Sequence, residues 1–205
     1  MKTKSALLLC FVASALSPIA SAQNESYGAL PSRPYTKDFS ARGIAGTERL
    51  QEDSVQVTCN QLGNAAPRNV VQALEQAQLA AIKFPADGVL IGDWKNGEKI
   101  AQNGRGMMWS DKADAENGGN CYNCHQLSKA ETSFGTIGPS LNQYGALRGN
   151  SAEIQKYTYS KIYNAKAFNL CSSMPRFGHV GALTEKQIKD LVALLLDPES
   201  PVNKK

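Results

Sequence analysis

Apolar positions recur most regularly near the C-terminal end. Ile188, Leu191, Val192 and Leu195 fall on one helical face. Thr184 and Gln187 precede them at the spacing of a capping box, and Asp197-Pro198 breaks the pattern. The spacing predicts a helix opening at Thr184 and stopping before Pro198. A second periodic run is Val70, Leu74, Ala77 and Ala81, widened by Val71 and Ile82 and ended by Pro85. Gln72, Glu75, Gln76 and Gln78 fill its polar positions. Such a helix needs a surface to cover, and packing on its own domain is the simplest choice.

Two further helices are expected. One opens at Asp93, whose carboxylate can cap the first turn, with Trp94, Ile100 and Ala101 as a partial apolar face. Gly97 falls inside it, where glycine costs ~1 kcal/mol relative to alanine; its presence suggests close approach by another helix. The other runs from about Ser151 to Tyr163. Residues 23–66 look irregular, and 134–149 and 164–182 read as loops. No strand pattern or internal repeat stands out, so the fold is expected to be all-α.

Composition narrows the chemistry. With 205 residues, 42% hydrophobic and 20% charged, the chain has the composition of a globular protein. A net charge of +4 gives no reason to expect nucleic acid. The two histidines, His125 and His179, exclude a three-histidine zinc site. The opening segment has Lys2 and Lys4, an apolar run from Ala6 to Leu16, and Ala20-Ser21-Ala22. It reads as a secretory signal peptide cut after Ala22, which directs the protein to the periplasm. Cleavage removes Cys10 and leaves Cys59, Cys121, Cys124 and Cys171 in an oxidising compartment. The expected organisation is a leader over 1–22, an N-terminal extension with one amphipathic helix over 23–92, and a main domain over 93–205.

Cys121-Tyr122-Asn123-Cys124-His125 carries the chemistry. In an exported protein, C-x-x-C-H is the attachment pattern of a c-type haem. Two thiols on one turn can each form a thioether to a vinyl group, and the adjoining histidine then faces the iron. A zinc knuckle would need a second ligand pair that the sequence lacks. The expected cofactor is one covalently bound haem c, and the expected fold is class I cytochrome c-like with a long N-terminal extension.

His125 is the expected proximal ligand. Its other ring nitrogen needs an acceptor, for which the carbonyl of Pro139 is a candidate, with Leu141 against a haem edge. The sixth position falls to Met107, Met108, Met174, His179, a lysine, or nothing. Met174 is favoured, since it stands in a loop before the last helix with Pro175 behind it. Met107 and Met108 read as core packing and His179 as a surface residue. Ligation by His125 and Met174 leaves no open position on the iron, so the chemistry expected is electron transfer. Arg148 and Arg176 are candidates for the haem propionates, and surface roles are open to both. Cys59 and Cys171 are most simply joined in a disulfide closing a long loop, worth ~4 kcal/mol in the chain-entropy model. A reactive or partner-bound cysteine is the alternative.

Four segments together resemble the SoxX family, the monohaem cytochrome c subunits of periplasmic SoxAX complexes. They are Gly135–Leu141, Lys161–Asn164, Cys171–Gly178 and Leu183–Ile188, and Asp197–Val202 extends the match. The resemblance implies His125 and Met174 as axial ligands. It also implies a SoxA-like partner that bears the catalytic cysteine, in a complex that oxidatively joins thiosulfate to the SoxYZ carrier. The pair is an L-cysteine S-thiosulfotransferase, and this chain would pass the released electrons to a soluble cytochrome c. A free-standing electron shuttle and a haem enzyme or gas sensor with five-coordinate iron are the other classes that the C-x-x-C-H motif allows.

Overall fold

The last helix is the axis around which the domain packs. In a computed structural model that describes residues 38–204, six α-helices are present: α1 (Ser54–Leu62), α2 (Arg68–Ala80), α3 (Trp94–Gln102), α4 (Tyr144–Arg148), α5 (Ala152–Tyr163) and α6 (Glu185–Leu196). The expected leader and its cleavage point at Ala22 lie outside the described residues. Short 3-10 turns punctuate the loops, and the described residues contain no strand beyond one isolated bridge between Arg42 and Ala45. No helix among them is long and apolar enough to cross a membrane.

Helix α6 opens with the capping box that Thr184 and Gln187 imply. Ile188, Leu191, Val192, Leu194 and Leu195 are all buried, each such side chain worth roughly 1.5–3 kcal/mol over its exposed state. Helix α3 lies against it, with Asp93 as N-cap. Gly97 is the point of closest approach: a Cβ there would run into the Asp190 carbonyl and come within 3.0 Å of the Leu194 Cβ. The buried Asp190 carboxylate ties the two helices together. It accepts from the Asp93 amide at 2.8 Å, the Asn96 amide group at 2.6 Å and Lys186 Nζ at 2.8 Å. Helix α5 covers another flank of α6 with Tyr159, Ile162 and Tyr163.

The tail after α6 completes its C-terminus. Ser200 donates to the Leu194 carbonyl at 2.6 Å, and Asn203 Nδ2 to the carbonyls of Leu195 and Asp197. Asn203 Oδ1 accepts the Gly145 and Ala146 amides, capping α4 from across the fold. Helix α4 lies within 134–149, which reads as loop in the sequence.

Two corrections concern the extension. It carries two α-helices, because residues 54–62 form α1 behind an Asp53–Gln56 capping box. And α2 docks through a face rotated from the expected stripe. Ala77 and Ala81 are exposed, while Val71, Leu74, Glu75, Gln78 and Ile82 turn inward. The centre of that face is polar: Gln78 accepts from buried Asn164, at 3.0 Å to its Oε1. A third correction concerns Met108, which is 56% exposed rather than core. The stretch around it is held by the extension, with Arg42 stacked on Trp109 at 3.3 Å and Arg49 donating to the Met107 carbonyl at 2.7 Å.

Candidate functional site

Between the C-x-x-C-H turn, α5, α6 and the loop before α6 lies a partly open cleft. Its lining includes Cys121, His125, Leu141, Met174, Phe177 and Leu194. The walls are almost wholly apolar, and the chemically distinctive groups on them are a thiol, an imidazole and a thioether.

The His125 wall starts from a 3-10 turn over Cys121–Asn123. The His125 amide donates to the Cys121 carbonyl at 2.9 Å, and the chain then returns over itself. Gly135 N–H donates to Tyr122 O, Gly138 N–H to Cys124 O and Leu141 N–H to Gln126 O, at 2.8, 2.8 and 2.7 Å. This return brings the Pro139 carbonyl to 2.7 Å from His125 Nδ1. Nδ1 is therefore the protonated nitrogen that donates, and Nε2 keeps its lone pair for a metal. A Cβ on Gly138 would overlap the imidazole ring, so only glycine lets the backbone pass so close. Cys121 and Cys124 are both free thiols, and burial pushes the Cys121 thiol up to about 12.

The Met174 wall is secured differently. Cys171 is bonded to Cys59 of α1, at an S–S distance of 2.12 Å. The Leu170 amide donates to Glu75 of α2 at 3.0 Å. On the far side of Met174, Arg176 is 8% exposed, with its guanidinium 2.6 Å from the Asp53 carboxylate and 3.2 Å from Gln78 Oε1. Burial alone would raise the Asp53 pKa, but the Gln56 amide and Arg176 outweigh it and hold it below its ordinary value. His179 is exposed; partial burial and the nearby Arg176 cation lower its pKa.

Cys121, His125, Leu141 and Met174 thus meet on one cleft. Pro139 contributes its carbonyl from behind His125. Cys59 and Cys171 meet each other at the edge of the Met174 loop. The two arginines are not on the lining. Arg148 ends α4, its guanidinium 5.0 Å over the Tyr144 ring, and Arg176 is engaged by Asp53 and Gln78. Sequence reasoning missed Asp53, Glu75 and Gln78. The one signal for them was the Asp53–Gln56 capping-box spacing, which marks a helix start without naming its far partner.

The residues fit a haem. The apolar walls suit a porphyrin face, the free Nε2 of His125 and the soft sulfur of Met174 suit iron, and Cys121 presents a thiol at the wall.

The comparisons agree with this geometry. The family model described as Cytochrome c matches residues 95–197. An uncharacterized lipoprotein of Aquifex aeolicus (strain VF5) is 40% identical over 156 residues, which cover 75% of this chain and 73% of that one. The shared stretch is longer than 95–197, so it reaches well into the extension. The all-α architecture, the C-x-x-C-H turn beside an apolar cleft, and these two likenesses lead to one conclusion: the chain belongs to the cytochrome c family, with the class I fold and the covalently bound haem c which that membership implies.

Proposed function

We propose that this electron-transfer cytochrome is the SoxX-type subunit of a SoxAX pair, serving an L-cysteine S-thiosulfotransferase in the periplasm. What carries the reading is the Met174 loop. The Cys171–Gly178 block that resembles SoxX is the segment that presents a thioether to the cleft that His125 also lines.

Cys121 and Cys124 would tether the haem, each adding its S–H across one vinyl group with no net change of oxidation state. His125 would bind through Nε2, with Pro139 fixing its tautomer. Met174 would offer its thioether sulfur, a weak neutral donor that favours the reduced state and raises the potential. Haem bound there supplies a one-electron couple. With His125 and Met174 both given to the iron, the site would favour outer-sphere electron transfer over reaction with oxygen or peroxide. The cysteine that accepts the thiosulfate sulfur would stand on the SoxA-like partner. This chain would take the electrons released there and hand them to a soluble cytochrome c.

A free-standing shuttle is the second reading, and one observation favours it: the extension is fastened to its own core, so it is not left over for a partner. Copurification and reconstitution separate the two. The SoxAX reading expects a second haem protein to copurify, and thiosulfate-dependent cytochrome reduction to fail when this chain is omitted. Unchanged reduction without it rejects the reading. Localisation has its own check. A leader cut after Ala22 gives a mature N-terminus at Gln23. A lipid-modified cysteine at the N-terminus would instead ally this chain with its Aquifex relative, whose description is lipoprotein.

A further inference from the structure

We propose that Asp53, Glu75 and Gln78 of the extension, acting through Arg176 and Leu170, are positioning residues for Met174. They determine how firmly the thioether occupies its side of the cleft. The inference rests on the His125/Met174 reading above.

The loop from Leu170 to Arg176 is gripped at both ends by one outside body. At the near end, the Glu75 carboxylate accepts the Leu170 amide, and Cys171 is bonded to Cys59. At the far end, Asp53 and Gln78 hold the Arg176 guanidinium. Between the anchors the loop has only a local turn, with Ser172 N–H donating to the Asn169 carbonyl and Met174 N–H to Ser172 Oγ at 3.2 Å. Pro175 has no amide hydrogen to add a further tie. Apart from its packing on the cleft wall, Met174 is placed by the anchors around it.

A thioether is a weak ligand, so its occupancy depends on the effective concentration at which the loop presents it. Beyond Arg176 the chain is tied to the core, with the Gly178 and His179 amides donating to the Tyr163 carbonyl at 3.1 Å, but between Cys171 and those ties the disulfide alone leaves the loop slack. Arg176 takes up that slack, and it is buried as a cation. Removing the Asp53 charge leaves Gln78 as the partner of a buried guanidinium, an arrangement that drives the cation toward water. Arg176 is two residues from Met174, so the sulfur moves with it. Glu75 acts at the other end through a charge-assisted bond to a backbone amide, and its loss loosens the loop less.

The test uses the full-length haem-loaded protein with its disulfide intact. Asp53→Asn, Gln78→Ala and Glu75→Gln are compared with wild type for the near-infrared sulfur-to-iron band, the reduction potential and imidazole binding to the ferric form. We expect Asp53→Asn to bind imidazole at least tenfold more tightly, about 1.4 kcal/mol, with a weaker sulfur-to-iron band and a lower potential. Gln78→Ala should follow in the same direction, Glu75→Gln should give about a threefold change, and Asp53→Glu should recover most of the band. If Asp53→Asn does not fold, Gln78→Ala and Glu75→Gln carry the test. Variants that lose thermal stability yet keep the wild-type band, potential and imidazole affinity overturn the inference and leave the ligand assignment standing. A wild-type protein with no sulfur-to-iron band overturns both.

Discussion

His125 and Met174 face the same cleft from walls of unlike construction. The hydrogen bonds around His125 are internal to residues 121–141: Tyr122 to Gly135, Cys124 to Gly138, Gln126 to Leu141, and His125 to Pro139. The fastenings around Met174 reach 95 residues back to Glu75, 98 to Gln78 and 112 to Cys59. Closing a short loop costs little entropy, and closing a long one must be offset by strong contacts or a covalent bond. The His125 wall can therefore form from its own segment. The Met174 wall has core ties too, from the Gly178 and His179 amides to the Tyr163 carbonyl, but the fastenings nearest Met174 need the docked extension. On the proposed ligation by His125 and Met174, this separates a locally built ligand from one that leans on the extension.

The sharpest way to break the comparison is to cut the longest fastening. Replacing Cys59 and Cys171 with serine should lower stability by about 4 kcal/mol in the chain-entropy model, read from the denaturant midpoint. Hydrogen exchange then separates the walls. Amides of 164–182 should lose protection well before those of Gly135, Gly138 and Leu141. Simultaneous loss would mean that the two walls form one cooperative unit.

Asp190 tests the frame the walls share. Burial alone would raise its pKa, but the Asp93 amide, Lys186 and Asn96 together hold it below the ordinary 3.8. A carboxyl depressed in the folded state stabilises the fold above its unfolded pKa. That contribution fades as pH falls below 3.8 and is gone once pH passes the folded value. Asp190→Asn should cost about 2–3 kcal/mol at neutral pH and flatten the acid limb of the stability curve. Both walls should loosen together in an acid titration followed by hydrogen exchange. An acid limb identical to wild type would show that Asp190 is not the group responsible.

Gly138→Ala strikes the His125 wall alone. The new methyl must displace the imidazole or the backbone behind it, at a cost of about 1–2 kcal/mol. In the haem-loaded protein we expect altered His125 ring signals by NMR and a weakened Nδ1–H to Pro139 bond, while 164–182 stay protected. Unchanged ring signals would refute the close approach.

The sequence disclosed the His125 wall far better than the Met174 wall, and the lengths just described explain why. The C-x-x-C-H turn, Pro139 and Leu141 lie within one segment, where spacing alone limits what can meet. Gly97 was readable because a glycine inside a helix has few explanations, and Thr184 with Gln187 because a capping box is local. The Cys59–Cys171 pair was accessible through cysteine arithmetic. Nothing local announces that Asp53 meets Arg176, since that pairing depends on how two helices dock. Helix α4 was hidden because the Asn203 side chain that caps it comes from the far end of the domain. The face of α2 was misjudged because apolar periodicity favoured Ala77 and Ala81, whereas its docking relies on Glu75 and Gln78, which hydrogen-bond the Met174 side.

The finest test uses one motif that occurs in both regions. Asp53–Gln56 at α1 and Thr184–Gln187 at α6 are both reciprocal capping boxes. In α1, Gln56 Oε1 accepts the Asp53 amide at 3.1 Å and Gln56 is only partly buried. In α6, Gln187 Oε1 accepts the Thr184 amide at 3.0 Å, and the buried side chain also donates Nε2–H to the Asn117 carbonyl at 2.9 Å. Truncating Gln187 strips a partly buried carbonyl of its donor as well as opening the cap, so Gln187→Ala should cost about 2 kcal/mol. Gln56→Ala should cost about 0.5 kcal/mol, since water can replace the lost contact. The Gln187→Ala effect should be the same in oxidised and reduced protein, because Gln187 lies outside the disulfide's reach. Reduction should enlarge only the Gln56→Ala effect, as α1 then depends on its cap and on Arg176 to stay docked. Denaturant midpoints for the two variants, with and without reductant, measure this directly. Equal sensitivity to reductant would mean that the extension and the core are one unit after all.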